Sequence, residues 1–357
     1  MTLTVLPVTG MPEVRAGDDL TAVVLAGLER LGVELADGDL LVVSSKVASK
    51  ALGLTAPDRQ AAIASETVRV VAERRTAGRL TQVVEAASGP VMAAAGVDAS
   101  NTGDSGDVLL LPRDPDEVCR GLLAAFRAAS GVARLGVVLS DTAGRPWRTG
   151  QVDFALGAAG ISVVDDLRGG VDADGRELAV TVRALADEIA SAADLVKGKA
   201  AGVPVALVRG LSALVYDVAP GGLGSGGGAP GVDGARALVR TGPGDWFALG
   251  PAEAVRAALG VAPGSAVSDR IGVMDVAPEP VTVRIGRAVA VALHDLESVG
   301  VDIGPEHVVV TGPDPVDVGL AAARVAVALW GEGFDARVAG PDVRTGQSVR
   351  VTALPRA

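Results

Sequence analysis

Histidine is almost missing from this 357-residue chain. Only His294 and His307 occur, both near the C-terminal end. The first 290 residues therefore hold no imidazole, which excludes a histidine-based triad or a histidine-held zinc site from them. Any metal bound there must rest on oxygen ligands, a donor set that favours Mg²⁺ or Mn²⁺. Lysine is scarce as well: 28 of the 32 basic residues are arginine, and Lys46, Lys50, Lys197 and Lys199 form two tight pairs. With surface solvation left to arginine, retained lysines point to a need for a compact ammonium, although four residues can also cluster by chance. The single cysteine, Cys119, cannot form an internal disulfide, which fits a reducing cytosol. Aromatics make up 2% against a hydrophobic content of 49%, so the core must be aliphatic. No apolar run reaches the ~20 residues of a membrane span, and MTLTVLPVTGMPEVR lacks the features of a signal peptide. A net charge of −11 without a basic tail argues against nucleic acid or an anionic membrane as partner. These absences lead us to expect a cytoplasmic protein.

What is present alternates between strand and helix patterns. A short strand, TLTVLPV, precedes a turn at Gly10, and Asp18 to Leu35 has helical spacing. DGDLLVVSSK reads as a buried strand ending at Ser44-Ser45, followed by a helix with Lys46 and Lys50 on one face. Residues 60–87 read as helical, VMAAAGVD as a strand ending at Asp98, and LGVVLSD as a strand ending at Asp141. Further helices are expected over Pro115 to Ala129 and Ala184 to Leu195, with VPVALVRGL as another strand. The glycines of PGGLGSGGGAPG (220–231) have dinucleotide-fingerprint spacing, but no helix follows and no acidic residue lies about 20 positions on. We expect domains at 1–245 and 246–357, the second a small α/β region of two strand–helix pairs.

Chemistry is carried by a few polar turns. Asp98, in GVDASN, and Asp141, in SDTAGR, each close an apolar run, where α/β proteins place ligands. With Asn101 and Thr142 nearby they offer hard oxygen donors for divalent cations, as phosphoryl transfer requires. The same aspartates would equally serve as turn caps, and spacing alone leaves both readings open. Ser45, Lys46 and Lys50 can present a hydroxyl and point charges to phosphates, or simply form a solvated helix face. Lys197, Gly198 and Lys199 make a glycine-containing turn able to wrap phosphate, or an ordinary loop. Arg145 and Arg148 flank Trp147 and suit carboxylate or phosphate. Trp147, Trp246 and Phe247 can stack on a flat ring or anchor the core.

Seven segments resemble, in order, the coenzyme F420 gamma-glutamyl ligases: LPVTGMPEVRAGDDL (6–20), DGDLLVVSSKVASKALG (37–53), AAGVDASN (94–101), LLLPRDPD (109–116), LSDTAGRPWRTGQ (139–151), DADGRELAVTVRALADEIASAADLVKGK (172–199) and PVALVRG (204–210). TGPGDWFALGPAEA (241–254) is similar to the two-domain actinobacterial members. The resemblance implies a mixed α/β ligase domain, usually homodimeric. It also implies GTP-dependent addition of L-glutamate to coenzyme F420-0 through an acyl phosphate, with further gamma-linked glutamates left open. It assigns metal to Asp98, Asp141 and Thr142, and nucleotide contacts to Met11, Pro12, Glu13, Val14, Ser45, Lys50 and Asn101. The turn from Lys197 to Val203 matches a loop over the phosphates. The implied cofactors are two Mg²⁺ or Mn²⁺ ions, with K⁺ as a further candidate. Lys199 departs from the pattern, standing where some archaeal relatives have an acidic ligand, so the second metal is held differently or part of its charge is replaced. Asp141, Arg145 and Lys199 are the candidates for catalysis. Asp141 or Glu188 is the candidate base for the amine, unless no protein base is used. The competing reading is a catalytically inactive deazaflavin- or nucleotide-binding protein of the same descent. For residues 250–357 we expect no flavin.

Overall fold

The computed structural model describes residues 2–99, 106–199, 201–216, 234–242, 245–339 and 348–356. Asn101 and the glycine-rich run 220–231 lie outside the described residues. The chain forms two compact units, one of residues 1–67 and 86–241, the other of residues 68–85 and 242–357.

The first unit is built on a mixed five-stranded sheet. Its strands are β1 (Thr4–Pro7), β2 (Asp39–Ser44), β3 (Leu135–Arg145), β4 (Arg148–Ala159) and β5 (Val205–Arg209). They lie in the order β1-β5-β2-β3-β4. Only β2 and β3 run parallel, with Ser44 opposite Ser140. The two strands are near-continuous apolar runs because both faces of the sheet are covered. On one face, Leu40, Val42, Val138 and Ala206 pack against Ala186, Ile189, Ala190 and Ala193 of helix α4 (Leu185–Lys197). Helices α1 (Leu20–Arg30), α2 (Ser45–Ala51) and α3 (Pro115–Ser130) precede it in the chain. Each of α1 and α3 starts on an aspartate cap, Asp19 and Asp114, whose carboxylate accepts a backbone N–H of the first turn.

α3 approaches β4 so closely that a Cβ at Gly157 would lie 2.4 Å from the Pro115 carbonyl oxygen. Backbone cannot yield as a side-chain tip can, so Gly157→Ala should destabilise the unit by about 1–3 kcal/mol through overpacking. A urea midpoint equal to wild type would disprove that close approach.

Three sequence readings need correction. The helical stretch expected over 60–87 ends at Glu66; a hairpin of Thr67–Thr76 and Arg79–Ala86 follows. Its turn sits on Ala77 and Gly78, both at positive φ, as two-residue hairpin loops require. The strand β3 does not stop at Asp141 but runs on to Arg145, so Asp141 and Thr142 lie within a strand. The segment leading to Asp98 is strand only over Val91–Ala93, then turns through Ala94–Gly96.

The second unit holds most of that hairpin. Arg75 exchanges backbone hydrogen bonds with Met274 and Val276, and Val71 accepts one from Gly250. Its helices are α5 (Pro251–Ala258), α6 (Ala266–Ile271), α7 (Val281–Leu293) and α8 (Pro315–Gly331). Its antiparallel sheet takes β6 (Gly300–Ile303), β7 (His307–Thr311), β8 (Phe334–Ala339) and β9 (Ser348–Pro355) in the order β6-β7-β9-β8. This replaces the expected two strand–helix pairs. α7 and α8 bury Ile285, Val289, Val325 and Leu329 against Val308, Val310 and Val351. Arg287, buried, is neutralised by Glu279 at 2.6 Å and Glu332 at 2.6 Å. His294 places Nδ1 3.1 Å from the Val291 carbonyl oxygen. No helix among the described residues is long and apolar enough to cross a membrane.

Candidate active site

Parallel register between β2 and β3 carries the chain from Ser44 into α2 directly beside Ser140 and Asp141. Ser45, at the start of α2, donates to Asp141 Oδ1 at 3.1 Å. Two further polar residues of α2, Lys46 next to Ser45 and Lys50 a turn later, reach two other segments. Lys46 Nζ lies 2.6 Å from Asp98 Oδ2, and Lys50 forms an ion pair with Glu13. The four-residue spacing of the lysines thus joins the 94–98 turn and the 11–14 loop to one helix face. In that loop Val14 is buried and Pro12 and Glu13 are exposed. Asp98 is fixed by backbone bonds exchanged with Leu109.

Ser45, Lys46, Ser49, Gly96, Asp98, Leu109, Leu110, Leu111 and Asp141 line a small cavity of about 10 Å³. Two carboxylates, two hydroxyls and one ammonium therefore converge from three separated stretches of sequence. Burial, with the nearby charges of Asp153 and Asp98, raises the Asp141 carboxyl from 3.8 to about 6, against hydrogen bonds from the Thr142 backbone and Ser45. A carboxylate in that state gains from a cation beside it. Among the described residues no three His, Cys, Asp or Glu side chains form a metal-holding group. The donor set is thus two carboxylates plus hydroxyls, which suits Mg²⁺ or Mn²⁺, since such ions keep waters and substrate oxygens.

Alternation along β3 turns Ser140 and Thr142 away from Asp141, toward a second polar cluster. At its centre is Asp153, on β4 directly opposite Thr142. Asp153 accepts from Ser140 Oγ at 3.0 Å and Thr142 Oγ1 at 2.6 Å. Lys197 Nζ donates to Asp153 Oδ2 at 2.8 Å and to Ser140 Oγ at 2.6 Å. Lys199 Nζ donates to Thr142 Oγ1 at 2.5 Å, Asp153 Oδ1 at 3.0 Å and Asp194 Oδ1 at 3.1 Å. Burial opposes ionisation of Asp153, but the two ammoniums and the Thr142 hydroxyl outweigh it and hold the carboxyl at about 2. Burial likewise works against the Lys199 ammonium, yet Asp153 and Asp194 raise its pKa.

The structure thus brings Ser45, Lys46, Asp98 and Asp141 together, ties Lys50 to Glu13, and draws Thr142 into the other cluster. Lys197 is not an exposed turn residue as expected: it ends α4 and is buried on Asp153, with Gly198 capping the helix at positive φ. Arg145 ends β3, its buried Nε without a partner among the described residues. Glu188 pairs with Arg183 at 2.8 Å and does not line the cavity. Trp147 and Trp246 are 84% and 83% exposed, so neither anchors a core. Sequence reading missed Asp153 and Ser49. An acid inside the apolar run QVDFALGAA was the available signal for Asp153; nothing distinguished Ser49.

Fold and site define a mixed α/β protein with a small cleft of oxygen donors and ammonium groups. The model of the family described as F420-0:Gamma-glutamyl ligase matches residues 10–210, and the chain belongs to that family. A relative from Halorubrum lacusprofundi, named coenzyme F420:L-glutamate ligase, is 41% identical over 225 residues, covering 57% of this chain and 85% of its own length. A relative of the same name from Methanothermobacter thermautotrophicus is 38% identical over 228 residues, covering 59% and 90%.

Proposed function

We propose that this chain joins L-glutamate to the terminal carboxylate of coenzyme F420-0, using GTP and a divalent cation. The observation that carries the reading is the convergence of Ser45, Lys46, Asp98 and Asp141 on one cleft within the family-matching region. In the reaction the coenzyme's carboxylate takes the γ-phosphoryl group and GDP leaves. The amine of glutamate then attacks the acyl carbon, phosphate departs, and the amine's proton is released as the amide forms. Asp98 and Asp141 would hold the cation, which supplies positive charge to the transferring phosphoryl group. Lys46 balances Asp98 and can turn to phosphate oxygens as they enter. Lys50 and the 11–14 loop bind the nucleotide. Lys199, already at the Thr142 hydroxyl, supplies positive charge that a second ion would otherwise bring.

Mass spectrometry of the coenzyme after incubation with glutamate, GTP and Mg²⁺ or Mn²⁺ tests this: each ligation adds one glutamate residue. Equal extension with ATP at matched concentration overturns the nucleotide assignment. The position of Lys199 favours a second reading, a binding protein without turnover, which binding of GTP and coenzyme without extension would establish.

Lys50→Ala should weaken GTP binding by about tenfold or more, as loss of a hydrogen-bonded charge does. Its melting temperature should hardly move, since the pair with exposed Glu13 contributes only about 0–1 kcal/mol. Lys50→Arg should rescue incompletely, because a planar fork does not replace a compact ammonium. Unchanged GTP affinity in Lys50→Ala counts against the assignment.

A further inference from the structure

Ser49 is a polar member of the cavity wall to which the proposed reaction gives no role. It is 1% exposed, and its Oγ has no hydrogen-bond partner among the described residues. A serine inside a helix ordinarily returns its hydroxyl to the carbonyl one turn back. Ser49 does not, although it lies one turn after Ser45 on α2. The residue lines the cavity together with Asp98 and Asp141. At about 10 Å³ that space takes roughly one atom or a single water.

Another part of the wall has unusual backbone. Ala94, Ala95 and Gly96 follow one another at φ of 52°, 54° and 72°, a left-handed run that non-glycine residues rarely adopt. Gly96 lines the cavity, and a Cβ there would come within 2.3 Å of Leu111 Cδ1. The cavity's charges select the occupant. Asp98 and Asp141 repel an anion, and Lys46 pairs with Asp98.

We propose that Ser49 Oγ is an oxygen ligand of a divalent cation seated between Asp98 and Asp141. This rests on the cation site of the proposed function and adds a residue to it. A neutral hydroxyl adds a hard oxygen donor to a cleft that offers two carboxylates among the described residues.

Mn²⁺ and Cd²⁺ titration of the full chain, followed calorimetrically and by Mn²⁺ electron paramagnetic resonance, tests the proposal without reference to turnover. Ser49→Ala should weaken Mn²⁺ binding on the order of tenfold, as loss of a group in a metal's immediate surroundings does. Its metal-free melting temperature should equal or exceed that of wild type, because a buried unpaired hydroxyl is removed. Ser49→Cys should lose Mn²⁺ affinity and gain Cd²⁺ affinity, a softer ion for a softer ligand. Mn²⁺ affinity in Ser49→Ala equal to wild type overturns the proposal. So does a metal-free melting temperature several degrees lower, which would make the hydroxyl structural. If wild type itself binds no Mn²⁺, the cation reading falls along with this one.

Discussion

Asp141→Asn is expected to lower glutamate ligation by about 10²–10³-fold or more while the fold survives, since under the proposed reaction charge is lost where it would develop on the transferring phosphoryl group. Asp98→Asn should act in the same direction. The Asp141 variant separates function from stability in an informative way. Its carboxyl has a folded pKa of about 6 against an ordinary 3.8, so burial penalises the ionised form in the fold. That penalty is absent below 3.8 and grows as pH rises through about 6. The neutral amide avoids it, so above pH 6 the metal-free Asn variant should melt no lower than wild type despite losing turnover. Near-normal activity of both Asn variants in Mg²⁺ or Mn²⁺ would sink the metal assignment. A lower melting temperature for Asp141→Asn at pH 7 would show that the Ser45 contact matters more to the fold than burial of the charge.

The second large effect concerns Asp153, a residue no motif singled out. Asp153→Asn should destabilise the first unit by about 3–5 kcal/mol, the cost of breaking a buried pair and leaving one charge uncompensated. The stranded group is Lys197, whose side chain is as enclosed as that of Asp153. Urea denaturation reads the effect directly. The folded pKa of Asp153 is depressed to about 2 from 3.8, so its contribution is fully present above 3.8 and lost as pH falls toward 2. The variant's stability should therefore fall less steeply over that acid range than wild type's. Replacing both partners by apolar residues, Asp153→Leu with Lys197→Met, should recover much of the loss. A shift below about 1 kcal/mol in Asp153→Asn, the range of an exposed pair, would mean that Lys197 finds another partner.

These two sites differ in how far they could be read from sequence. The scarcity of lysine and the absence of histidine over the first 290 residues pointed to Lys46, Lys50, Lys197 and Lys199 and to oxygen-based metal chemistry. The order of motifs over residues 6–210 pointed to the family that the comparison then showed. What failed was placement. Lys197 read as part of a turn over phosphate or an exposed loop, whereas it is buried on Asp153; Lys199 stays exposed while reaching the same carboxylate. The hairpin within 67–86 read as helix because apolar and charged residues there satisfy both periods loosely.

The sequence alone determined residue chemistry: which donors exist, their sparse positions, the aliphatic core, and the local starts of α1 and α3 at aspartate caps, because caps, turns and helix faces depend on neighbours a few residues apart. Tertiary structure decided which of these residues meet. The parallel register of β2 and β3 sets Ser45 against Asp141, strand alternation sends Asp141 and Thr142 to opposite faces, and the cross-strand pairing of Thr142 with Asp153 gives both lysines of the second pair their partner. Register and pairing are set by how whole strands and helices bury their apolar faces, so contacts between residues ten to a hundred positions apart have no local signature.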